Sequence, residues 1–161
     1  MWATAHVGDA VRGHCRAVAE LAKEMAERLR ASGLLIDVAA VEAAALLHDI
    51  AKSQPHHAGA GAAMIRAFGF PEVADIVARH SDLADWNGEI DESAVVFLVD
   101  KLVCGDRRVT LAERFAPAFA RFRDDPAACA ETRRRLDRAE DVLRAVQART
   151  AIAPVGAVTR F

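Results

Sequence analysis

Residues 41–47 read Val-Glu-Ala-Ala-Ala-Leu-Leu and run directly into His48 and Asp49. Alanine and leucine are strong helix formers, so the run reads as a helix, and its apolar content places it in a core. An imidazole and a carboxylate at the end of a buried helix are costly to desolvate unless something binds them. A metal ion meets that need if other elements bring further ligands to the same point. The chain is therefore expected to fold so that several helices converge on the end of this one.

Composition supports a helical frame. The chain has 161 residues, enough for one domain with a sizeable core. Hydrophobic residues make up 53%, aromatics only 6%, and tyrosine is absent, which favours helix over sheet. Helical periodicity places elements at residues 9–31, 37–49, 57–68, 71–80, 91–104, a short one from Thr110, and 126–149. Gly33 and Gly69 act as stop signals, while Pro71 and Asp124-Asp125-Pro126 act as start signals. Pro55 and the polar stretch 81–90, with Asn87-Gly88, read as loops. No strand is expected. The fold class is all-α: a single domain over 1–161, with about five core helices over 10–108. A helical extension follows over 110–149, its last helix on the outside, and then a tail over 150–161.

Several polar residues sit where an apolar side chain belongs. His14 is in line with Val18, Leu21 and Met25 on the first helix. His80 follows Val73, Ile76 and Val77. Asp100 lies inside the apolar stretch 94–103 and shares a side with Val96, Phe97 and Val103. A lone ionised carboxylate there would cost several kcal/mol or take up a proton. A buried hydrogen-bonded histidine would explain His14 alone, and a salt bridge to a buried arginine would explain Asp100 alone. His57 opens the third helix among small residues, and the spacing to Gly61 turns it inward and permits close helix approach; His56 is then exposed, as is His6. Together these positions supply six nitrogen or oxygen ligand groups and no thiolate. Six groups suit two metals bridged by a carboxylate, for which Asp49 is the natural choice.

The net charge of −2 makes no case for nucleic acid or a membrane as partner. Residues 121–149 are locally basic, eight arginines against six acids, and read as a solvated amphipathic helix. Cys15, Cys104 and Cys129 form no C-x-x-C pair and read as small core fillers in a reduced compartment. Neither a signal peptide nor a membrane-length apolar stretch is seen, so a cytoplasmic location is expected.

In order, His14, His48-Asp49, His57, His80 and Asp100 resemble the H…HD…H…H…D pattern of the HD-domain superfamily of metal-dependent phosphohydrolases, in its binuclear branch. The stretch His48-Asp49-Ile50-Ala51-Lys52 is similar to the family's H-D-I-G-K, with alanine in place of glycine. Phe97-Leu98-Val99-Asp100-Lys101 is similar to its last motif. Two groups look closest: HD hydrolases that split diadenosine tetraphosphate, and HD modules associated with molybdenum-cofactor nucleotidyltransferases. The first carries a Pro-x-Arg element after the last aspartate; here the segment is Cys104-Gly105-Asp106-Arg107-Arg108. The HD-G-Y-P signature of cyclic-dinucleotide phosphodiesterases is absent.

The resemblance implies hydrolysis of a phosphate ester or anhydride by a metal-activated water. His14, His48, Asp49 and Asp100 would hold one divalent ion, and Asp49, His57 and His80 a second. Iron or manganese is favoured; zinc or cobalt also suits the ligands. Asp49 and Lys52 would be catalytic, and Lys52 and Arg107 would bind substrate phosphate, unless these two cations are simply surface residues. The expected partner is a small phosphorylated substrate, a nucleotide first of all, and a homodimer is left open. Selectivity would come from the 81–90 loop, with Asp82 and Trp86, and from residues near Arg107. Two other readings share the ligand set: an HD-fold di-iron oxygenase, and a non-catalytic, metal-stabilised regulatory module acting through the arginine-rich helix.

Overall fold

The computed structural model describes residues 1–2, 5 and 7–150. His6 and the tail from 151, for which a surface position and a loose tail were expected, lie outside the described residues. Among the described residues, seven helices and one small hairpin follow in order. Helix α1, Asp9–Ala31, buries Val18, Leu21 and Met25 as its stripe demands, and is followed by Gly33, whose φ of +95° suits a residue without a Cβ. Helix α2, Val38–Leu47, is capped by the Asp37 carboxylate, which accepts from the amides of Ala39 and Ala40. His48 keeps helical backbone angles just beyond it.

Helix α3, His57–Ala67, packs on α4, Pro71–Arg79, which opens with its proline as expected. Gly61 of α3 is needed for close approach to the turn after α2. A Cβ there would come within 3.1 Å of Ile50 Cγ2. Helix α5, Glu92–Lys101, is the central element. Every residue from Ser93 to Lys101 is buried, and it touches α1, α2 and α4. Asp91 caps it by accepting from the Ala94 amide.

The expectation that α5 continues to Cys104 and that no strand forms is corrected here. α5 stops at Lys101, and Val103–Cys104 (β1) and Arg107–Arg108 (β2) pair antiparallel, Val103 opposite Arg108. Gly105, at φ +61°, supplies the left-handed residue that lets the chain reverse. Cys104 is consequently exposed and Cys129 half-buried; only Cys15 is a core filler, and all three are free thiols. Helix α6, Leu111–Arg121, begins with a capping box between Thr110 and Glu113. Helix α7, Pro126–Thr150, buries Leu136, Ala139, Val142 and Val146 and packs against α1, α5 and α6. Among the described residues, no helix is long and apolar enough to cross a membrane.

Candidate metal centre and adjoining cavity

Two helices end on the site in the same way. His48 follows the last residue of α2 and His80 the last residue of α4, and both are buried. Each ring donates Nδ1–H to the carbonyl three residues back, His48 to Ala45 at 2.7 Å and His80 to Val77 at 2.7 Å. Carbonyls at a helix C-terminus lack partners within the helix, so the rings satisfy them. His14 is anchored likewise, its Nδ1 at 2.9 Å from the Gly105 carbonyl of the hairpin. These bonds orient the rings and turn the three Nε2 atoms toward a common region.

The carboxylates complete the cluster. Asp100 Oδ1 lies 3.1 Å from His14 Nε2 and 3.5 Å from His48 Nε2. Asp49 Oδ2 lies 3.5 Å from His48 Nε2, while its Oδ1 lies 3.3 Å from His57 Nε2 and 3.6 Å from His80 Nε2. His57 and His80 face each other nitrogen to nitrogen at 3.2 Å. Two groups of donor atoms result, His14-His48-Asp49 and Asp49-His57-His80, and Asp49 belongs to both.

A cation fits this arrangement on three counts. Metal–ligand bonds of about 2.0–2.2 Å at tetrahedral or octahedral angles put ligand atoms about 3.0–3.5 Å apart, close to the separations above. His48 Nε2 is buried and finds no hydrogen-bond partner, which is costly unless a cation satisfies it. The charge states agree as well. Burial opposes ionisation of Asp49, but His48, His80 and Lys52 outweigh it and hold its pKa well below the usual carboxylate range. Burial likewise opposes ionisation of Asp100, and Lys101, His14 and His48 outweigh it. Burial lowers the pKa of His57 and of His80, so both are neutral. His48 goes the other way: despite burial, Asp100 and Asp49 raise its pKa well above the ordinary value. The paired carboxylates thus demand a positive charge at the point where His48 Nε2 stands.

Lys52 sits over Asp49, its Nζ 3.1 Å from Oδ1 and 2.9 Å from Oδ2, with its side chain half-exposed. A cavity of about 280 Å3 adjoins the cluster. Lys52, His57, His80 and Asp100 line it on one side. Lys101, Arg114 and Arg135 also line it, together with Phe115 and Phe122.

The structure brings together all six expected ligand residues and Lys52. It does not bring Arg107 to the cavity lining: the hairpin register sets Arg107 opposite Cys104, and both are exposed. Of the 81–90 loop, Ser81 alone lines this cavity. Asp82 is exposed, and Trp86 packs on the core with the Arg138 guanidinium 5.8 Å from its ring centroid. The cations that do face the cavity, Lys101, Arg114 and Arg135, were missed. Lys101 had a signal, a second charge inside an apolar run. It is buried, donates to Asp100 Oδ2 and the His80 carbonyl, and stands 4.1 Å from the Phe97 ring centroid. Burial pushes its pKa down, Asp100 pulls it up, and Arg114 and Arg135 add to the downward shift.

This convergence of His, His-Asp, His, His and Asp from α1, the C-terminal end of α2, α3, the C-terminal end of α4, and α5 defines the class. The HD domain family matches residues 11–104, more than half of the chain, and the chain belongs to that family. HD domains bind divalent metals and are in general metal-dependent hydrolases. Among known proteins the chain is similar to uncharacterized protein MJ0778 of Methanocaldococcus jannaschii, 41% identical over 71 residues. The matched stretch is 42% of each chain, so the chain spans less than half the length of that relative. No solved structure matches the chain.

Proposed function

We propose that the protein is a phosphohydrolase that acts on a small phosphate ester or anhydride, a nucleotide first of all. One observation carries this reading: Asp49 is common to two groups of ligand atoms beside a cavity lined by lysine and arginine. His14, His48, Asp49 and Asp100 would hold one divalent ion, and Asp49, His57 and His80 a second. Imidazole and carboxylate ligands without a thiolate favour iron or manganese and admit zinc or cobalt. Such ions, when bound, supply a water of lowered pKa and positive charge for phosphoryl oxygens.

The chain's own residues do the rest. Asp49 and Asp100 are ionised and His57 and His80 neutral, so these four need shed no proton to act as ligands. Lys101 holds Asp100 Oδ2 and leaves Oδ1 to face the histidines. Lys52 reaches both the cluster and the cavity. Its ammonium can bind a phosphoryl oxygen or hand a proton to the leaving oxygen. Phe115 and Phe122 offer apolar surface to the organic part of the substrate.

The test is phosphate release, under anaerobic conditions, from a panel of nucleotides and dinucleoside polyphosphates, with metal analysis on the same sample. Release by the wild type and its loss in Asp49→Ala is the expected result. Full activity in metal-replete Asp49→Ala overturns the mechanism. Oxygen consumption without phosphate release would put the di-iron oxygenase chemistry in its place. A metal-replete protein with neither activity would leave the regulatory module.

A further inference from the structure

The cavity has an unbalanced lining. Lys52, Lys101, Arg114 and Arg135 face it, and Asp100 is the one carboxylate among the lining residues. Asp100 is already engaged by His14, His48 and Lys101. Lys52 belongs to Asp49 and Lys101 to Asp100, which leaves the two arginines without a carboxylate partner among the lining residues. Arg114 comes from α6 and forms no ion pair among the described residues, and its Nε is buried without a hydrogen-bond partner. Arg135 comes from α7. Its Nε is held 3.0 Å from Glu131 on the same helix, which steadies the side chain, and the cavity is lined by this residue too. Two guanidiniums brought to one cavity from different helices make it positive, which favours entry of an anion. Their planar forks match the oxygens of a phosphate.

Position adds to the argument. Both arginines lie beyond residue 104, outside the stretch matched by the family, and they share the cavity with the His/Asp cluster. The aromatic rings of Phe115 and Phe122 line the same space. At about 280 Å3 the cavity sits at the lower edge of the roughly 300–1,000 Å3 found for organic ligands. One compact organic phosphate suits that volume.

We infer that Arg114 and Arg135 form a clamp for a second anionic group of the substrate, distal to the phosphorus at the His/Asp cluster. The substrate class is then a compact organic phosphate with at least two anionic groups, such as a nucleoside diphosphate, rather than a simple monoester. Calling the bound anion a substrate rests on the hydrolase reading; the clamp itself does not.

The experiment uses the full chain and inorganic pyrophosphate. Calorimetric titration of chelator-treated protein should show salt-sensitive binding, weakened about ten- to hundredfold in Arg114→Gln and in Arg135→Gln. Arg144→Gln, an exposed arginine of α7 away from the cavity, should bind like the wild type. Thermal melts confirm that each variant folds, and Arg114→Lys should recover part of the affinity. In metal-loaded protein the glutamine variants should raise KM for nucleoside diphosphates more than for monophosphates. Wild-type affinity in both glutamine variants, no binding at all, or equal weakening by Arg144→Gln overturns the clamp. Pyrophosphate binding that obeys these rules in a protein that hydrolyses nothing would keep the clamp and remove the hydrolase reading. Hydrolysis with an unaltered KM in both variants would do the reverse.

Discussion

Asp49→Asn and His57→Gln should part company in how many ions the protein keeps. Asparagine keeps the shape of aspartate and removes the charge that both donor groups share. A four-ligand structural zinc site is worth about 10–16 kcal/mol, or about 3 kcal/mol per ligand. At 1.4 kcal/mol per tenfold, losing one ligand weakens an ion by about a hundredfold. Asp49 contributes to both groups, so Asp49→Asn should weaken both ions by that factor. His57 belongs to the Asp49-His57-His80 group alone, so His57→Gln should weaken one ion and spare the other. The assay is metal per chain after equilibrium dialysis against a buffered manganese or iron supply, set so that a hundredfold loss empties a site. Two ions in the wild type, one in His57→Gln and none in Asp49→Asn is the expected series. Circular dichroism checks the fold, which should persist because the Lys52 partner of Asp49 is half-exposed. Equal retention by the two variants would refute the shared role of Asp49, and a single ion in the wild type would refute the second group.

Metal binding at neutral pH should release about one proton. The carboxylates hold the His48 pKa above its ordinary value, so the metal-free ring is protonated at pH 7 and must lose that proton to become a ligand. His57 and His80, shifted down, are already neutral and release none. Affinity should therefore rise with pH until the raised His48 pKa is passed; calorimetry in buffers of different ionisation enthalpy measures the release, and a buffer-independent heat would contradict it. Gly105→Val should disturb the centre from outside. Its φ of +61° costs a branched residue about 1–2 kcal/mol, and a shifted carbonyl frees the His14 ring it orients. Loss of such a partner lowers metal affinity by about 10–100-fold, and a metal titration equal to the wild type would show that the hairpin does not position His14.

The convergence at the centre was legible because burying a polar group is expensive and so leaves a mark. His14 in line with Val18 and Leu21, and Asp100 among valines, are conspicuous on their helices and meet in the structure. Helix starts at Asp37, Asp91 and Thr110 were legible through helical periodicity, and each of these residues proves to cap its helix. The hairpin was not, because two residues per strand carry no alternation to read. Arg114 and Arg135 were invisible for another reason. Arginine on an amphipathic helix looks the same whether it faces bulk solvent or a cavity, and only the path of α6 and α7 decides. The hairpin, in turn, explains why Arg107, nearer in sequence to Asp100, ends up on the outside.

The division of the cavity has an evolutionary consequence. One side is drawn from residues 11–104, the stretch matched by the family, and the other from α6 and α7, which follow it. On the hydrolase proposal, drift in the appended helices would exchange one cargo for another while the His/Asp cluster stays untouched. Chimaeras that graft α6 and α7 from one relative onto the core of another would therefore be a direct route to new selectivities.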